Sequence, residues 1–243
     1  MTRGRHDSLL LAAGFVACWQ VLYLLVGGDV VSSPWQTILR AIALMQTRNF
    51  WNDAASTGVA FLYACLIAIV AGIALGLALG FNRFVGDVAD PILGAIYSIP
   101  KITLYPIILL IFGLSPAAKV AFGVIHGIFP VAIFAMNAVR NVAPVHRRTA
   151  KALRLSPAAT VMTVLAPAVV PEILAGIRVA IALTLLGVLI AELFAASSGI
   201  GFALIRATET HNVVDTFALT LLLFLFAVAI NAALRFNGRG MRA

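Results

Sequence analysis

Six polar side chains interrupt long apolar stretches of the sequence, and they are the first candidates for binding a polar or charged molecule. If these stretches are membrane helices, an ionised side chain at a helix centre costs about 2.5–3.5 kcal/mol on insertion scales, so Lys101 and Glu192 should face a protein interior. Lys101 either offers an electropositive contact to an anionic solute, or it snorkels to the interface or pairs with a carboxylate. For Glu192 an ion pair or a hydrogen bond to a neighbouring helix is favoured over solute contact. The six candidates are Lys101, Thr103, Tyr105, His126, Asn137 and Glu192.

The other four candidates are uncharged at neutral pH. His126 and Asn137 are eleven residues apart, which is about three helical turns, so they share one helix face. That face either lines a polar pathway or bonds a neighbouring helix, because polar side chains also hold membrane helices together. Thr103 and Tyr105 lie between prolines, where freed backbone carbonyls need a partner or water. All four are therefore candidates for a solute pathway.

The sequence lacks the groups that covalent chemistry would need. No Gly-x-x-x-x-Gly-Lys-Ser/Thr motif occurs, and none of the three lysines, Lys101, Lys119 and Lys151, follows a glycine. Any ATP used by this protein, with its magnesium ion, is therefore expected on another chain. No nucleophile, paired carboxylate or metal-ligand cluster falls at a common depth, which argues against a membrane enzyme. We expect no catalytic residue, no metal site and no cofactor on this chain.

Composition explains why these few polar groups stand out. The chain has 243 residues, of which 62% are hydrophobic and 11% charged, whereas soluble domains carry about 25% charged residues. Its apolar runs approach the roughly 17–25 residues that a helix needs to cross a bilayer, and they do not alternate as barrel strands do. The sequence predicts one all-α transmembrane domain over residues 1–243, with about six spans at residues 8–26, 58–81, 91–112, 120–139, 173–195 and 213–234.

The basic residues indicate the orientation of these spans. With the N-terminus inside the cell, eleven Lys or Arg residues fall in inner segments and only four in outer segments: Arg40, Arg48, Lys119 and Arg206. This asymmetry follows the positive-inside rule. It predicts that both termini are cytoplasmic, and it accounts for the net charge of +8 without a nucleic-acid partner.

Glycines and prolines predict how the helices pack and bend. Gly72, Gly76 and Gly80 recur every four residues and share one helix face, a spacing that lets two membrane helices approach closely. Kinks are expected near Pro100 and Pro106. Residues 1–56 are interpreted as an N-terminal helix with an external amphipathic segment, and residues 57–236 as the membrane core.

The longest hydrophilic interruption on the predicted inner side covers residues 140–172. Residues 149–155 and 157–165 both read as short helices, separated near Ser156 and Pro157. A helical pair that projects from a membrane-embedded protein is typical of a docking surface. The alternative is an ordinary positively charged inner loop.

This inner segment resembles a known family. The stretch Arg-Thr-Ala-Lys-Ala-Leu-Arg-Leu-Ser at 148–156, with Leu-Ala-Pro at 165–167 and Pro-Glu-Ile-Leu-Ala-Gly at 171–176, is similar to the EAA loop of bacterial ABC importer permeases. Ser-Ile-Pro-Lys-Ile-Thr-Leu-Tyr-Pro at 98–106 and Ser-Gly-Ile-Gly at 198–201 resemble the branch that imports sulfonates, taurine, nitrate and thiamine precursors. The resemblance extends from about residue 33 to residue 234.

The resemblance implies a type I permease fold in the bacterial inner membrane and a pore half that is driven by a separate ATPase. It implies three partners besides lipid: a second permease copy or paralogue, a cytoplasmic ABC ATPase dimer and an extracytoplasmic solute-binding protein. The coupling loop would be residues 143–172. Its expected ATPase contacts are Ala150, Lys151, Ala152, Leu153, Arg154, Leu155, Ser156 and Pro157.

Two positions depart from the family pattern. The family's leading Glu aligns with Arg148, and its loop Gly, which permits a tight turn, aligns with Arg154. The departure implies a different turn, an unusual ATPase or one partner of a heterodimer. A stand-alone secondary transporter or channel is the other reading of the whole chain, and it should show repeats or interrupted helices in matching halves.

Overall fold

The protein is described from a computed structural model, which defines residues 3–237. Within this range the chain is helical and joined by short turns, as the all-α prediction requires. The helices, in chain order, are α1 Arg3–Val26, α2 Pro34–Met45, α3 Arg48–Gly80, α4 Arg83–Ser98, α5 Tyr105–Phe112, α6 Pro116–Arg140, α7 Pro144–Ala152, α8 Pro157–Thr160, α9 Ala166–Ala195, α10 Ile200–Glu209 and α11 Val213–Asn237, with a 3-10 turn at Lys101–Leu104 and a π-helical turn at Val161–Leu165.

In the described range, four helical segments are long and apolar enough to cross a membrane: Arg48–Gly80, Pro116–Arg140, Ala158–Ala195 and Val213–Ala232. A fifth span is possible where Arg83–Ser98 and Lys101–Phe112 together pass the same test, although they are bent by 81°. The apolar part of α1, Leu10–Val26, is shorter than the others. The first expected span is therefore a shorter apolar helix, and the third is a pair of helices with a bend between them.

The break between α4 and α5 shows what the prolines do. The helix ends at Ser98, immediately before Ile99 and Pro100, so the first expected kink is a full interruption. Pro106 lies in the first turn of α5, where a missing backbone donor costs nothing. The second expected kink is thus the start of a helix.

The chain divides into two compact units, one of which is Gly58–Ala196. In this unit, α6 packs along α9, and the glycine face of α3 packs on α6. A methyl group built on Gly72 would lie 2.6 Å from Val131 Cβ, and one on Gly80 would lie 2.8 Å from the Met136 carbonyl oxygen. Only glycine lets these backbones come so close.

The other unit comprises the chain before and after that core. Arg40 on α2 makes two hydrogen bonds to the carboxylate of Asp215 on α11. Its Nε donates to Oδ1, and its Nη2 donates to Oδ2 at 3.1 Å. This hydrogen bond raises the pKa of the Arg40 guanidinium. The first turns of α10 are tied to α3, because the Gly199 and Ile200 amides donate to Asp53 Oδ1 (2.8 Å) and Thr57 Oγ1 (2.9 Å). Side chains from α3 therefore cap the start of α10.

Candidate functional site

The connection between α6 and α9 contains the segment expected to dock. Helix α7 ends at Ala152, and the Leu155 amide donates to the Ala150 carbonyl at 3.1 Å. That bond, closed around a left-handed residue, is the Schellman pattern that ends many helices. The left-handed residue is Arg154, with φ of 48°. The turn thus has the backbone that a glycine would favour, although an arginine occupies it.

An L-residue in the left-handed region costs roughly 1–2 kcal/mol relative to the right-handed helix. The Arg154 conformation therefore needs support from its neighbours, and the hydrogen bond from the Leu155 amide to the carbonyl of the buried Ala150 closes the turn around it. The family's alignment of Gly with Arg154 implied that the turn could differ. The φ of Arg154 is nevertheless positive, which is the conformation that a glycine at this position would permit.

The turn after α7 exposes an apolar side chain, with exposed basic side chains close to it in sequence. Leu153 is 64% exposed, and Val145, one turn before Arg148, is also exposed. Leu155 is half-buried, whereas Arg148, Ala152, Arg154 and Ser156 are exposed. For Lys151 and Pro157 the structure describes the helical backbone and not the side chain. An exposed leucine, with the exposed Arg148 and Arg154 close to it in sequence, suits a partner surface with an apolar pocket and acidic groups at its rim.

Ion pairs hold the base of this loop. Arg140, the last residue of α6, pairs with Asp87 and lies 3.5 Å from Asp90, both on α4. A methyl group on Gly86 would lie 2.6 Å from Arg140 Cδ, so glycine makes room for the arginine stem. Sequence reasoning missed this network. The available signal was the pair of carboxylates in the inner segment that precedes the third predicted span.

Two candidates for solute contact lie in the break between α4 and α5. Lys101 Nζ donates to the Tyr97 carbonyl at 2.8 Å and lies 4.4 Å from the centroid of the Tyr97 ring. Thr103 is exposed, and its hydroxyl donates to the Pro100 carbonyl at 2.8 Å. The Pro100 carbonyl also accepts the Thr103 amide at 3.1 Å, so the Thr103 side chain adds a second hydrogen bond at the start of the 3-10 turn. Both side chains remain partly accessible.

Tyr105 and His126 are buried and hydrogen-bonded within the core. The Tyr105 hydroxyl donates to the Ala191 carbonyl at 2.8 Å, and His126 Nδ1 lies 2.9 Å from the Phe122 carbonyl. His126 is 8% exposed. Asn137, eleven residues on, is half-buried, and its Oδ1 lies 3.5 Å from Arg140.

Glu192 is fully buried on α9, and its Oε1 lies 3.1 Å from Lys119 Nζ on α6. An ion pair was the favoured reading of Glu192, but its partner was not foreseen. Lys119 was counted among the outer basic residues, which left its burial unforeseen: it lies in the first turn of α6 and is only 3% exposed. The sequence places these residues 73 positions apart, so only the packing of α6 on α9 reveals the pair.

Comparison with known proteins places this architecture in a family. The model of the binding-protein-dependent transport system inner membrane component family matches residues 68–243. The aliphatic sulfonates transport permease protein SsuC of Bacillus subtilis is 27% identical over 217 residues, which cover 88% of this chain and 79% of SsuC. The nitrate import permease protein NrtB of Leptolyngbya laminosa is 32% identical over 188 residues, covering 77% of this chain and 67% of NrtB.

A solved structure has the same fold. A chain of the MetNI methionine ABC transporter, determined in inward-facing conformations, superposes with a TM-score of 0.59 at 17% identity, covering 86% of this chain and 97% of that one. The family match, together with apolar helices of which α6 and α9 are joined by a helical loop, defines the class of this protein as an ABC importer permease. The chain belongs to the binding-protein-dependent transport system inner membrane component family and is a multi-pass inner-membrane subunit. Such permeases work with an ATPase and a binding protein and are not enzymes themselves.

Proposed function

We propose that residues 150–157 form the surface through which this permease docks on its ATPase. The observation that supports the proposal is the turn after α7, which leaves Leu153 64% exposed at the tip of a helical loop. Leu153 and Leu155 would supply apolar contact, while Lys151 and Arg154 would face acidic or polar groups. The chain has no motif for ATP of its own, so ATP and magnesium would bind to a cytoplasmic ATPase dimer.

We further propose that two copies or paralogues of this chain enclose the pore. A rigid displacement of the docked loop would tilt the attached helices, so that the pore opens to each side in turn. Packed interfaces transmit such steps because they have discrete arrangements. In this proposal both termini are cytoplasmic, in agreement with the distribution of basic residues, and the binding protein delivers solute from the other side.

Replacing Leu153 by Glu tests the docking proposal. The change removes an apolar contact and buries a charge at the interface, and interface anchors of this kind contribute about 2 kcal/mol or more. The variant is therefore expected to bind the ATPase about 30-fold more weakly than the wild-type chain does, which is measured as loss of the ATPase during purification in mild detergent.

The matched control is Leu114→Glu, since Leu114 is also an exposed leucine in a turn and is predicted on the opposite side of the membrane. This variant should retain the ATPase at the wild-type ratio. Equal retention by both variants would refute docking through Leu153.

We propose a small anion as the solute. The names of SsuC and NrtB specify sulfonates and nitrate, both anions, and the break between α4 and α5 carries a partly accessible cation, Lys101, and an exposed hydroxyl residue, Thr103, two positions apart. Tyr105, His126, Asn137 and Glu192 were candidates for the same pathway. Their hydrogen bonds to other parts of the core favour support of the pathway walls, with direct contact left to Lys101 and Thr103.

A further inference from the structure

Helices α6 and α9 pack in one fixed antiparallel register. A methyl group built on Gly127 would lie 2.1 Å from Thr184 Oγ1, and one on Gly123 would lie 2.8 Å from Val188 Cγ2. Each step of four residues towards the start of α6 is therefore matched by a step of four towards the end of α9. Close glycine contacts of this kind leave little freedom for the helices to separate.

The next step of the same register brings Lys119 opposite Glu192. The ammonium and carboxylate are 3.1 Å apart and almost wholly buried, with side-chain exposures of 4% and 0%. They lie beside an apolar cluster that contains Phe122 and Ala191. The pair is at the end of the hairpin remote from the loop that connects α6 to α9.

We propose that Lys119 and Glu192 are positioning residues that hold the start of α6 against the end of α9. Because these two helix ends stay together, a displacement of the connecting loop moves them as well. The proposal rests on the docking function proposed above. It assigns these residues no contact with the solute. They act by fixing where the two helix ends lie.

A charge pair suits this role better than two apolar side chains would. If α9 slipped along α6 by one turn, Lys119 would face Val188 and Glu192 would face Ser115, so the 3.1 Å contact between the two charges would be lost. Separating the two charges of a buried ion pair is strongly disfavoured, because each buried charge then loses the opposite charge that offsets its desolvation. The pair therefore favours the observed register of α6 and α9 over one that is shifted by a turn.

The test uses the assembled transporter and follows amide hydrogen exchange with and without ATP and vanadate, which requires no knowledge of the solute. In the wild-type complex, exchange should change with nucleotide both in the loop, residues 144–157, and at the remote ends, residues 113–118 and 193–199. In Glu192→Gln the loop should still respond, whereas the response at the remote ends should fall by about fivefold or more.

Two further variants separate the role in transmission from a role in folding. Lys119→Arg with Glu192→Asp keeps the opposite charges and should keep the remote response. The exchange of charges, Lys119→Glu with Glu192→Lys, should restore most of what Glu192→Gln loses. Comparison is made among variants that elute as intact complexes.

The outcomes distinguish the two proposals. If the remote ends of Glu192→Gln respond to nucleotide as in the wild type, the pair does not transmit movement and this proposal is overturned. A change in basal exchange with an unaltered nucleotide response would overturn it as well, because that is the signature of a structural role alone. If the loop of the wild-type chain itself shows no response, the docking proposal has failed instead.

Discussion

Gly76→Leu is expected to destabilise the folded permease strongly. A methyl group on Gly76 would already lie 2.4 Å from the Ala132 carbonyl oxygen and 2.7 Å from Ala135 Cβ. The first of these atoms is backbone and cannot rotate away, so α3 and α6 would have to move apart. Overpacking of a core costs about 1–3 kcal/mol and more where the backbone must shift. We expect little monodisperse protein in detergent and a clearly lower thermal unfolding midpoint.

Gly94→Leu is the matched control, because Gly94 also lies inside a helix but has no neighbouring atom within 4 Å of the added methyl position. This variant should elute and unfold like the wild type. Wild-type elution and unfolding of Gly76→Leu as well would mean that α3 does not pack on α6 through its glycine face.

Lys101→Met is expected to lower anion uptake by the assembled transporter by about 10- to 100-fold, because a hydrogen bond to a charged group contributes about 1.5–3 kcal/mol. The thioether keeps the length of the side chain and removes its charge. Uptake is measured in proteoliposomes that contain the ATPase and binding protein, with nitrate and an aliphatic sulfonate as solutes. Lys101→Arg is the control and should retain most of the activity, since the positive charge stays in place. Wild-type uptake by Lys101→Met would exclude Lys101 as an anion contact.

The elements that the sequence predicts well are those with a local signal. Long apolar runs predict helices, because lipid offers the backbone no other way to satisfy its hydrogen bonds. The recurrence of Gly72, Gly76 and Gly80 indicates a packing face without naming its partner, which the structure identifies as α6. Pro100 marks a break, but the 81° bend depends on how α4 and α5 each pack.

The features that sequence reasoning missed are contacts between distant residues. Lys119 follows a Pro-Ala-Ala turn and reads as an outer-surface lysine, because nothing near it in sequence signals the carboxylate on α9. Arg140 likewise reads as one of many inner basic residues, whereas its carboxylate partners lie about fifty positions earlier. Such pairs follow from helix packing, which a single sequence does not specify.

Arg154 shows the opposite case, in which a local rule is overridden. Left-handed backbone favours glycine, and an arginine at this position predicts a different turn. The chain forms the turn regardless, with the Leu155 amide bonded to the Ala150 carbonyl. The local hydrogen bonds that close the turn accompany a backbone conformation that costs an L-residue roughly 1–2 kcal/mol.

Site-specific photo-cross-linking in the intact complex tests the central claim most directly. A photoreactive residue at position 153 should form a covalent adduct with the ATPase subunit, and the yield should change when ATP and vanadate are added. The same residue at position 114, on the predicted opposite face, should form none. Adducts from position 114 alone, or none with the ATPase from position 153, would contradict the account that this loop couples the permease to its ATPase.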